Sequence, residues 1–187
     1  MRIILTAIFS LFLLTMAGQQ KPRYSTQNSV GVLIGEHDTA PLLESVNGLV
    51  YRNWFAGVGT GIDWHYSRSI PLFFSGARFI PVKTGKQLQL SSGIGINFPW
   101  AQSDTYFGWY STAPTYKNGL YWNAGMGYRI GVGKKNDALL VHLGYINKSY
   151  TQVIKTVIPC LIPPCPESVE SYKYSLNALS VKLGWGF

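Results

Sequence analysis

The 187-residue sequence reads as an all-β chain, an eight-stranded antiparallel transmembrane β-barrel preceded by a cleaved signal peptide. Three features lead there. The composition is 47% hydrophobic but only 13% charged, roughly half the charged share of a soluble domain. Apolar residues alternate at period two over segments of about ten residues, the length a tilted strand needs to cross a bilayer, and 3.6-residue periodicity is weak. Finally, much of the face opposite the bulky residues is glycine, of which the chain has 20.

Export comes first along the chain. Arg2 precedes an apolar run from Ile3 to Leu14, and Thr15-Met16-Ala17-Gly18 supplies small residues for cleavage after Ala17. The run is shorter than the ~20 residues of a spanning helix, so residues 1–17 are expected to be a signal peptide. Residues 18–27 then form a periplasmic N-terminal tail and residues 28–187 the barrel.

The strands follow in order. In 29–36, Val30, Val32 and Ile34 alternate with Gly31, Leu33 and Gly35, whereas 45–52 is short and ambiguous in parity. In 56–65, Ala56, Val58, Thr60, Ile62 and Trp64 oppose Gly57, Gly59, Gly61, Asp63 and His65. Segment 72–81 is apolar on both faces except for Arg78, which is expected to face inward with Leu72, Phe74 and Gly76. In 88–97, Leu88, Leu90, Ser92, Ile94 and Ile96 alternate with Gln89, Ser91, Gly93, Gly95 and Asn97. In 120–131, Leu120, Trp122, Ala124, Met126, Tyr128 and Ile130 oppose Tyr121, Asn123, Gly125, Gly127, Arg129 and Gly131. Segment 139–146 sets Leu139, Val141, Leu143 and Tyr145 against Leu140, His142, Gly144 and Ile146. The chain closes on 179–187, where Leu179, Val181, Leu183, Trp185 and Phe187 oppose Ser180, Lys182, Gly184 and Gly186.

A soluble sandwich also alternates, but its second face meets water and carries Lys, Glu and Thr. Glycine there would only weaken the strand. Facing a narrow lumen it has a cause, because eight strands leave little room for side chains. Connection lengths agree. The long connections, 98–117 and 151–170, both join an odd strand to the next, whereas 52–53, 83–86 and 132–137 are tight turns. Short periplasmic turns and longer outer loops are the pattern of outer-membrane barrels. Trp64, Tyr66, Tyr145 and Trp100 are then expected at the outer interface, and Trp54, Trp185, Phe187 and Tyr128 at the inner one.

The ending Leu183-Gly184-Trp185-Gly186-Phe187 resembles the C-terminal signal of outer-membrane barrels read by the barrel-insertion machinery. Asn53-Trp54-Phe55-Ala56-Gly57-Val58-Gly59-Thr60-Gly61-Ile62-Asp63, Arg68-Ser69-Ile70-Pro71-Leu72-Phe73 and Tyr121-Trp122-Asn123-Ala124-Gly125-Met126-Gly127-Tyr128 resemble the small outer-membrane β-barrel proteins of Bacteroidetes. The resemblance implies an integral protein of the bacterial outer membrane, in contact with its lipid and lipopolysaccharide. It does not fix an activity, because such barrels include structural, adhesive and enzymatic members.

Parity assigns Asp63, Arg129, Lys182 and His142 to the lumen, and Arg78 is turned inward with them to keep it out of lipid. Asp63, with Glu36 as a second acid, is expected to pair with Arg78 or Arg129. A mid-depth Arg or Lys facing lipid would cost ~2–4 kcal/mol. Asp63, His65 and Ser67 share one strand face, but residues two apart lie ~6.6 Å from each other, too far for a proton relay. His37, between Glu36 and Asp38, is a second rim histidine. Cys160 and Cys165 are expected to form a disulfide in an exported chain. Two cysteines cannot complete a tetrahedral zinc site, no phosphate-binding glycine loop follows a strand, and the net charge of +8 is scattered. No cofactor, metal or nucleic-acid partner is therefore expected. The functional reading is a structural or surface-interaction barrel displaying 98–117 and 151–170. The alternatives are a lipid-modifying barrel enzyme using His37 or His65, and a narrow pore lined by Arg78, Arg129 and Lys182.

Overall fold

The computed structural model describes residues 21–36, 38–100, 114–132, 137–158, 160 and 166–187. The alternating segments form β1 (Arg23–Gly35), β2 (Thr39–Tyr51), β3 (Trp54–Asp63), β4 (Ser69–Lys83), β5 (Lys86–Pro99), the short β6 (Thr115–Lys117), β7 (Gly119–Gly131), β8 (Ala138–Val157) and β9 (Glu167–Gly186). Consecutive ring strands pair antiparallel, β5 pairs directly with β7 while the short β6 pairs only with β8, and β9 pairs with both β8 and β1. Eight strands thus close into a ring, which satisfies the backbone without leaving an edge in the ring. The seam is fastened at its base, where Thr26 N donates to Phe187 O at 2.8 Å and Phe187 N to Thr26 O at 3.0 Å.

The two faces separate cleanly. Bulky residues such as Val30, Phe74, Ile94, Met126, Leu143 and Leu183 are exposed on the outer wall, at 52–72% of their full area. In a soluble protein so continuous an apolar belt would be untenable; against hydrocarbon it is what the solvent requires. The inward face carries Leu33, Leu42, Phe55, Phe73, Phe79 and Tyr121, all buried, so the bore is a packed core. Phe73 and Tyr121 meet at 5.1 Å between ring centroids. Glycines make this packing possible: a Cβ at Gly59 or Gly95 would collide with Phe73, and one at Gly125 with His142.

Three expectations need correction. β1 begins at Arg23, inside the segment read as a tail, and its first residues already pair with β2, Arg23 opposite Val50. β4 has the opposite parity to that expected: Phe73, Ala77 and Phe79 point inward, and Leu72, Phe74, Gly76 and Arg78 point outward. The glycines of β3 and β5 open space for Phe73, so the rings of β4 fill the bore. Arg78 escapes the penalty of mid-membrane charge through depth. It lies opposite Trp54, the first residue of β3 beside the Arg52-Asn53 turn, with its guanidinium 5.2 Å from the Trp54 ring. The segment 151–170 is largely strand: β8 runs on to Val157, β9 starts at Glu167, and the two stay in register from Ala138–Gly186 to Val157–Glu167.

Candidate functional site

Asp63 ends β3 and faces the outer mouth of the lumen. Its partner is Lys148 on β8, whose ammonium bonds Asp63 Oδ1 and also donates to Ser69 Oγ at 2.9 Å and to Ser67 O at 3.0 Å. Ser69 Oγ donates to Asp63 Oδ2 at 2.8 Å, and His65 N to Asp63 Oδ1 at 3.2 Å. Lys148 and Asp63 are 1% and 2% exposed, so the charges depend wholly on each other and on these hydrogen bonds. All three ammonium protons have acceptors, which makes the cluster a closed polar stopper. Asp63 does not pair with Arg78 or Arg129, and Glu36 is exposed.

Further in, Lys182 Nζ lies 2.8 Å from Glu44 Oε1. Ser91 Oγ and His142 Nε2 are 2.8 Å apart, and Gln89 Nε2 donates to Gln27 Oε1 at 3.1 Å. These groups surround a cavity of about 30 Å³, room for a water molecule or two. Glu44 Oε2, Gln89 Oε1 and His142 Nδ1 lack a protein partner there and would be satisfied by such water. At the inner end the Arg129 guanidinium sits 5.3 Å from the Phe79 ring.

The residues read as chemistry do not converge. His65 is buried with Nδ1 2.5 Å from Asp38 Oδ1, a contact that becomes an ion pair only when the imidazole is protonated. The Asp63 carboxylate meets the backbone of His65 and not its ring, so Asp63, His65 and Ser67 form no relay. His37 lies outside the described residues. Cys160 is disulfide-bonded, and Cys165 lies outside the described residues. Leu183, Trp185 and Phe187 line up on the outer wall of β9.

Above the barrel, β8 and β9 continue as a hairpin, and β6 adds to β8 with Tyr116 opposite Gln152. Four tyrosines roof the outer mouth. Tyr150 stacks on Tyr174 at 5.0 Å and 21°, and Tyr66 and Tyr116 flank the pair at 6.0 Å each. Burial, followed by contact with neighbouring phenols, pushes the Tyr150 hydroxyl up to about 12. Most of the loop 98–117 lies outside the described residues, from 101 to 113.

No protein-family model matches the sequence, and no curated protein matches it. Among solved structures, the outer membrane protein AlkL, determined by solid-state NMR in DMPC lipid bilayers, is similar. The likeness covers 91% of this chain and 92% of that one, with a TM-score of 0.56 and 14% sequence identity. Ring closure, the apolar outer wall and this likeness agree: the chain has the fold of an outer-membrane β-barrel.

Proposed function

We propose that this protein is an integral barrel of the bacterial outer membrane, exported by residues 1–17 and acting through its outer surface. The observation that carries this reading is the mismatch between a closed lumen and an overbuilt outer end. The bore is blocked by the Lys148–Asp63 cluster and the Phe73–Tyr121 layer, while β8 and β9 run well past the last pairing of β9 with β1, at Gly35–Ala178. A hairpin of that length with a tyrosine base is costly to order and adds nothing to ring closure. It supports a contact role, for which loop 98–117 is the second outer segment. The resemblance of the 53–63 and 121–128 phrases supports a Bacteroidetes-type member, and Leu183, Trp185 and Phe187 support recognition by the insertion machinery. The pore and rim-histidine enzyme readings gain no such observation.

The test is surface display. Cells producing the full chain with an epitope inserted between Val157 and Glu167 should bind antibody without permeabilisation, whereas an epitope at Thr84-Gly85 should need it. The opposite labelling would invert the orientation and remove the surface role.

A further inference from the structure

The apolar outer wall has a polar interruption on β1, β2 and β3. Elsewhere, the outward residues of 88–96, 120–128, 139–145 and 179–187 are apolar or aromatic apart from Ser92. On β1–β3, by contrast, Asn28, Ser45 and Thr60 stand in register on neighbouring strands and face outward, with Asn47 one outward position nearer the Arg52-Asn53 turn. Ser45 is the middle residue of the thirteen in β2, and Thr60 lies between the exposed Trp54 and Trp64, so the row crosses the wall near mid-depth. Its side chains are linked to one another. Asn47 Nδ2 donates to Ser45 Oγ at 3.3 Å, and Ser45 Oγ donates to Asn28 Oδ1 at 2.7 Å. Asn47 Oδ1 accepts from Thr26 Oγ1 at 2.7 Å and from the Tyr24 hydroxyl at 2.8 Å. The linkage stops there: Asn28 Nδ2 and the Thr60 hydroxyl have no side-chain partner among the described residues. On a soluble protein water would satisfy both, but hydrocarbon offers neither donors nor acceptors. The short side chains also leave the wall concave. A groove of about 700 Å³ is floored by the row and flanked by Leu183 and Trp185 on one side and Ile62 and Ile70 on the other.

We propose that this face of the barrel docks a second copy of the chain, the two polar rows meeting inside the membrane. Asparagine and threonine side chains each carry both a donor and an acceptor, so the row is complementary to itself. Copies in one membrane share an orientation, and a two-fold axis along the membrane normal sets every residue against the partner's wall at its own depth. Polar row then meets polar row, and the Asn28 amide and the Thr60 hydroxyl gain partners that acyl chains cannot supply. The small side chains let the two walls approach closely, as small residues do between membrane helices. The apolar remainder of the wall has no comparable gain from leaving lipid, because lipid tails are as apolar as leucine. The polar row is therefore what makes a protein a better neighbour than lipid on this side of the ring. The inference rests on the barrel reading above, since only a hydrocarbon surround leaves these groups without partners.

Energy transfer between full barrels in phosphatidylcholine vesicles tests the proposal. Copies carrying Thr84→Cys, in the β4–β5 turn, take a donor or an acceptor dye while the disulfide at Cys160 stays oxidised. These copies should transfer energy above the level of random encounter, the signal persisting on dilution with lipid and falling when unlabelled chain competes. Asn28→Leu with Asn47→Leu should weaken association by about tenfold or more, the factor expected for one or two intramembrane hydrogen bonds. Both changes add apolar surface toward lipid, so the variant should still fold, which the heat-modifiable gel shift checks. Ser92→Leu makes a similar change on β5 and should leave association as it was. Transfer at the random level without the asparagine changes, no effect of those changes, or an equal loss in Ser92→Leu overturns the docking face. A chain at the random level that co-purifies with a hydroxylated acyl lipid overturns it in favour of lipid as the occupant of the groove. A chain that failed to enter vesicles and stayed soluble without detergent would instead overturn the barrel reading itself.

Discussion

Lys148 shows how much one buried charge can decide. Removing it leaves Asp63 inside the lumen without a counter-charge, so Lys148→Ala should cost about 3–5 kcal/mol. Lys148→Met combined with Asp63→Leu should recover most of that loss, because an apolar pair of similar volume needs no desolvated charge. Urea unfolding in micelles, read by tryptophan fluorescence, measures both; a single-variant loss below about 1 kcal/mol would show that the carboxylate does not depend on the ammonium. The pair was legible in part. Asp63 is placed inward by the alternation of 56–65, but the alternation of 139–146 has to be carried two residues further to reach Lys148. Glu44 was missed for a related reason: it sits just before the parity-ambiguous segment 45–52, and only the pairing Leu42–Asp63 through Tyr51–Trp54 fixes its side. Residue chemistry gives a preference for facing inward; a partner's position comes from a strand far away in the chain.

Strands carry a different lesson. Six of the eight ring strands could be given a face from period-two alternation, because one side meets hydrocarbon and the other a bore lined by glycine and polar groups. β4 is apolar on both sides, so its parity was invisible until Phe73 and Phe79 were seen filling the lumen. The corrected parity is testable: Phe74→Arg should destabilise by ~2–4 kcal/mol, whereas Arg78→Ala, at the interface, should change stability by at most about 1 kcal/mol. The extended hairpin was read as loop because no clean alternation marks 151–170, although Thr151, Val153, Ile154, Thr156 and Val157 are β-branched. Replacing residues 151–173 by a short Asn-Gly turn should leave the barrel folded, since the ring pairings lie below Tyr150–Tyr174; loss of the heat-modifiable gel shift would contradict this. Tyr150 adds a pH signature to the same element. Its raised phenol stabilises the hairpin fully below pH 10, and that contribution is lost as pH rises toward 12. Spectrophotometric titration should therefore show a late tyrosinate phase over that range, and Tyr150→Phe should diminish it.

For the molecule as a whole, closure and conduction are separate questions. The ring has no edge, yet its interior is occupied from the Tyr121–Phe73 layer to Phe79, with space for little more than bound water. Planar bilayers should show no openings of nanosiemens size with the wild-type chain. Trimming the plug, as in Phe73→Ala with Tyr121→Ala, is the variant most apt to create a conducting state, so both proteins belong in the same measurement.

The order of apolar and small residues along the chain was enough to set the fold, the lipid-facing wall and the even strand count, because a bilayer imposes the same outward rule on every strand independently of its neighbours. Which charge meets which, which face β4 shows, and how far β8 and β9 rise above the rim depended on pairing between distant segments. Those relations are fixed by register around a closed ring, and no local pattern in one strand contains the register of another.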